Sequence, residues 1–113
     1  RRFAMAAATS SNMTWRDMIR SFNGAQLKEQ MQPDQYVACT SEIANAALKA
    51  RQARSLVEDN EFESHLRHMG SRLYGFSGYH TYLLVAVLAK LPSSPATRAV
   101  LGRCFEQLEE DIS

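Results

Sequence analysis

The sequence predicts an all-α fold, a compact bundle of five or six helices with a central apolar helix at about residues 79–91. Three observations predict it. Apolar residues recur at spacings of three and four along most of the chain, as they do on the buried face of a helix. Proline and capping residues divide those stretches at short intervals, where helices start and stop. No two segments read as strands that could pair.

Residues 1–12 are small and polar after Phe3 and lack periodicity, so they read as a flexible tail or linker, with 13–113 as a single helical domain. The chain starts without methionine, and the expectation is a part of a larger protein.

Thr14, with Asp17 three residues on, has the pattern of a capping box, and Trp15, Met18, Ile19 and Phe22 then share one helical face. Asn23-Gly24 offers a stop, and Ala25–Met31 reads as a short second helix ending before Pro33. Asp34 and Gln35 open the longest stretch. In it Tyr36, Cys39, Ile43, Ala46, Ala47, Ala50, Ala53 and Val57 form one stripe, with Lys49, Arg51 and Arg54 toward solvent.

Asn60 with Glu63 suggests another capping box, with Phe62, Leu66, Met69 and Leu73 as a stripe from that point. Tyr74–Gly78 reads as a turn, its glycines taking up conformations costly for other residues and Ser77 capping the next helix. From Tyr79 to Leu91 nearly every residue is apolar, which argues for burial on most sides. Leucine and alanine favour helix there, and Pro92 supplies the stop. Ser94-Pro95 starts a final helix whose stripe is Leu101, Cys104, Phe105, Leu108 and Ile112.

Composition excludes several classes. At 45% hydrophobic and 22% charged the chain is globular rather than disordered. Its longest apolar run, Tyr82–Ala89, is much shorter than the roughly 20 residues of a membrane-spanning helix. Two cysteines, Cys39 and Cys104, fall at apolar helical positions, which argues against a disulfide framework, leaves a single bridge between them open, and favours a reducing compartment, nucleus or cytoplasm. Asn12-Met13-Thr14 matches a glycosylation acceptor, but with no secretory leader it reads as a chance match.

Candidate chemistry is sparse. Glu61, His65 and His68 share a helix side, yet two histidines and one carboxylate fall short of the four ligands of a structural zinc, so no metal is expected. His80 lies near Ser77, Tyr79 and Tyr82 without a recognisable triad or nucleophile elbow. Gly70, Gly75 and Gly78 lack the lysine and the preceding strand of a phosphate loop. The chain is therefore expected to be no enzyme, to have no catalytic residues and to carry no cofactor.

The expected function is protein–protein interaction or oligomerisation, an intracellular and regulatory kind of domain that buries aromatic side chains against a partner helix or a second copy. Its contacts are expected from Trp15, Met18, Ile19, Phe22, Tyr74, Phe76, Tyr79 and Tyr82, although aromatic stripes more often face a core. A second expectation is nucleic-acid binding through Lys49, Arg51, Arg54, Arg67 and Arg72. Charge supports it weakly. Residues 1–57 carry eight Lys/Arg against four acids, but residues 58–113 carry five against eight.

Overall fold

Helix caps divide the chain. The computed structural model describes residues 13–24 and 31–112, so the tail at 1–12 and nearly all of the helix expected over Ala25–Met31 lie outside the described residues. Among the described residues there are six α-helices and no strand: α1 Trp15–Gly24, α2 Pro33–Lys49, α3 Ala53–Val57, α4 Asn60–Gly70, α5 Gly78–Leu88 and α6 Pro95–Ile112. A 3₁₀ turn at Leu73–Gly75 joins α4 to α5.

Thr14 and Asp17 form the expected box at α1, each backbone N–H donating to the other's side chain at 3.2 and 3.3 Å. Ser77 accepts from the His80 N–H at 3.1 Å, and Ser94 accepts from the Thr97 N–H at 3.1 Å while its own N–H reaches Thr97 Oγ1 at 2.9 Å. Two starts differ from expectation. α2 begins at Pro33, where a missing N–H costs nothing, and Gln35 Oε1 accepts from the Gln32 N–H at 2.8 Å. At α4 the cap is Asp59 rather than Asn60, its carboxylate accepting from the Glu61 and Phe62 N–H groups at 2.8 and 3.1 Å.

The long helix expected through Val57 instead breaks after Lys49. Gln52 N–H donates to the Ala47 carbonyl at 2.7 Å and Arg51 N–H to that of Leu48 at 3.0 Å, closing α2 with a Schellman motif. Its left-handed position is filled by Arg51, at φ 60°, where glycine is usual. The Gln52 side chain then accepts the Trp15 indole N–H at 2.7 Å, tying the start of α1 to the end of α2. The turn lets α3 bury Leu56 and Val57.

Five helices close a ring: α1 packs on α2 and α4, α2 on α5, α5 on α6, and α6 on α4. α2 and α4 meet across it through side chains. There Thr40 Oγ1 donates to the Tyr36 carbonyl at 2.7 Å and lies 2.8 Å from His65 Nε2, in a wholly buried pocket. Phe22 sits edge-on to His65 at 4.5 Å, and Tyr36 packs against Phe22, His68 and Phe76. His65 is therefore an interior residue and not one on a solvated face.

The central helix departs most from expectation. α5 buries Thr81, Leu84, Val87 and Leu88, but leaves Tyr79 68% and Tyr82 61% exposed. The fold is only 19 Å across its shortest extent, about two helix diameters, so each ring helix has an outer face. α5 is shielded by α2 on one side and α6 on the other, and its remaining face meets solvent. Nor is its turn glycine-driven, since among the described residues no glycine has positive φ.

Candidate interaction face

The face begins with the cap of α5. Ser77 Oγ accepts from the His80 N–H at 3.1 Å and also pairs with His80 Nδ1 at 2.9 Å, so the cap hydroxyl holds both the backbone and the ring of the histidine. The Tyr79 ring lies 5.6 Å from that imidazole. One residue absent from the expected set fixes the turn before the cap. Gln107 of α6 donates from Nε2 to the carbonyls of Leu73 and Phe76, at 2.6 and 3.1 Å, and reaches Thr81 Oγ1 at 3.3 Å. Gln107 lies off the stripe expected for α6, on the side of Val100 and Cys104, so that stripe carried no trace of it.

From that anchored start, Tyr79, Tyr82, Ala86 and Lys90 face outward. Between α5 and α2 runs an open groove of about 500 Å³, with Val37, Ala38, Leu83 and Ala86 among its apolar walls. Asp34, His80 and Lys90 supply its polar ends. On α6, Phe105 is 53% exposed, because burial on that helix follows Thr97, Val100 and Cys104 rather than the expected stripe through Phe105.

The expected contact residues divide cleanly. Tyr74, Tyr79 and Tyr82 are exposed; Trp15, Ile19, Phe22 and Phe76 are buried in the core, and Met18 packs half-buried against it. Trp15 is additionally covered by the Arg16 guanidinium, 4.3 Å from its ring centroid. For these buried residues the structure places the side chains in the interior of this chain, leaving Tyr79 and Tyr82 on the outer face of α5, Tyr74 in the turn before it and Phe105 on α6 as the exposed aromatics.

The basic residues do not form one uniform patch. Lys49, Arg51 and Arg54 are exposed at the α2–α3 junction, Arg67 is exposed midway along α4, and Arg72 is half-buried. Arg54 shares a groove of about 300 Å³ with Glu58 and Glu63. Arg67 and Arg103 line a neighbouring one of about 500 Å³, where Arg67 is ion-paired with Glu63. Acids are thus interleaved among the cations, which offsets attraction for phosphate.

Neither thiol is poised to react. Burial pushes Cys39 up to about 12, with the Glu42 carboxylate adding to the rise, and burial alone pushes Cys104 up to about 11. Both stay protonated at neutral pH, whereas the thiolate is the nucleophile and metal ligand. Among the described residues no cluster of three or more His, Cys, Asp or Glu is placed to hold a metal ion, and no helix is long and apolar enough to cross a membrane.

No family model, curated protein or solved structure matches this chain.

Proposed function

We propose that this chain is a non-enzymatic protein–protein interaction or oligomerisation module whose contact surface is the outer face of α5. The observation that carries this reading is the pair of exposed tyrosines, Tyr79 and Tyr82, beside the apolar α2–α5 groove. Large rigid aromatic side chains give much contact area for little ordering cost. Each is worth about 1.5–3 kcal/mol when buried, before association costs are subtracted. The two free, buried thiols fit a reducing compartment, the nucleus or cytoplasm.

Site-specific photocrosslinking in cells tests the reading. A benzophenone side chain at position 82 should give a discrete protein adduct, and one at exposed Ser55 on α3 should not. Absence of an adduct at position 82, or equal labelling at both, rejects it. Nucleic-acid binding remains the second class, and it has its own signature. Affinity for short DNA or RNA that falls steeply with salt, and again on charge reversal at Arg51 and Arg54, would move the function there.

A further inference from the structure

The face carries opposite charges at its two ends. Asp34 and Lys90 both line the α2–α5 groove, both are exposed, and among the described residues neither forms an ion pair within the chain. The 6.0 Å contact between the Tyr36 and Phe76 rings sets the start of α2 beside the start of α5. Asp34 therefore lies at the same end as Tyr79 and His80. Lys90, eleven residues beyond Tyr79, lies about 16 Å away at the other end.

We propose that the occupant of this face is a second copy of the chain, docked antiparallel about a two-fold axis that runs between the two α5 helices at the level of Leu84. The proposal rests on the interaction reading above. A two-fold contact requires that if residue i meets residue j, then j meets i. In an antiparallel α5 pair centred there, Tyr82 of each copy faces Ala86 of the other, and the small alanine leaves room for the ring. The same register sets Tyr79 opposite Ala89, one residue from Lys90, so the lysine ammonium reaches both that aromatic face and Asp34 of the other copy.

Charge makes this orientation selective. Antiparallel docking forms the Asp34–Lys90 attraction twice, whereas a parallel arrangement would oppose Asp34 to Asp34 and Lys90 to Lys90. The helix dipoles act in the same sense, since the starts of α2 and α5 then meet the partner helices' ends. One helix face with the groove beside it is small for a dimer interface, so a dissociation constant of roughly 10 μM to 1 mM is expected.

Sedimentation equilibrium on the purified chain, taken to about 1 mM, tests this. A monomer–dimer equilibrium is expected. Asp34→Lys and Lys90→Glu should each weaken it about threefold to tenfold, and the two together should restore it to within about twofold. Ala86→Glu should abolish it, and since all three positions are exposed, circular dichroism should show an unchanged fold. A monomer at every concentration overturns the second-copy assignment, as does a dimer indifferent to Ala86→Glu or a double variant weaker than either single one. Under those results an adduct at position 82 would still sustain the interaction face, with another protein as its occupant.

Discussion

α1 turns Trp15, Ile19 and Phe22 inward and Arg16, Asp17 and Arg20 to solvent, whereas α5 buries Leu84 and Leu88 yet still presents Tyr79, Tyr82 and Ala86 outside. Both helices lie in the same ring and each has two neighbours. The difference lies in how apolar residues are distributed around each axis. In α1 they occupy one stripe, of which the core takes Trp15, Ile19 and Phe22 fully and Met18 in part. In α5 they occupy every side, and a ring two helices thick covers only part of such a helix.

Breaking the core side of this comparison should give the largest effect. Trp15→Ala removes a buried ring and the hydrogen bond that holds Gln52, so it should destabilise the fold by about 3–5 kcal/mol in urea titrations. A loss below about 1 kcal/mol would mean that α1 is a loosely attached helix. Its aromatic face would then be free to serve as an interface, as its composition alone also allows.

The interior polar contact between α2 and α4 comes next. Thr40→Val keeps the shape and deletes the hydroxyl that bridges the Tyr36 carbonyl and His65 Nε2. The expected cost is about 1–3 kcal/mol, since a buried polar group then loses a partner that water cannot replace. Equal stability of the variant would show that the α2–α4 contact is carried by ring packing around His65 alone.

The helical class, most helix boundaries and the apolar character of α5 were legible because they follow from local spacing and capping chemistry. The stop of α2 was not. Ala50, Arg51 and Gln52 contain neither glycine nor proline, Arg51 takes the left-handed position, and the Gln52 side chain is held by a distant partner, the Trp15 indole. His65 was illegible for a related reason, because its burial is decided by Thr40 and Phe22 on other helices. The candidate face was half legible: Tyr74, Tyr79 and Tyr82 are exposed as a contact surface requires, while Phe76 is taken into the core by Tyr36.

A smaller effect of opposite sign should appear at that turn. Arg51 occupies a left-handed conformation that crowds its Cβ, and glycine removes the crowding while adding freedom to the unfolded chain. Arg51→Gly should therefore stabilise the fold by about 0.5 kcal/mol, and Arg51→Ala, which keeps Cβ, should not. A gain for both in urea titrations would point to the loss of positive charge rather than to backbone relief.

The smallest stability effect is expected where the comparison is sharpest. Tyr82 and Trp15 are both large aromatic residues on ring helices, but Tyr82 is 61% exposed and Trp15 is 2% exposed. Tyr82→Ala should change the unfolding free energy of the dilute chain by less than about 0.5 kcal/mol. The same substitution should weaken association at high concentration, because the ring's apolar area is still available for burial there. If dilute Tyr82→Ala instead loses as much stability as a core variant, the ring is committed to this chain's own packing. The outer face of α5 would then be scaffold after all, and the exposed aromatic surface would reduce to Tyr74 and Tyr79 with Phe105 of α6.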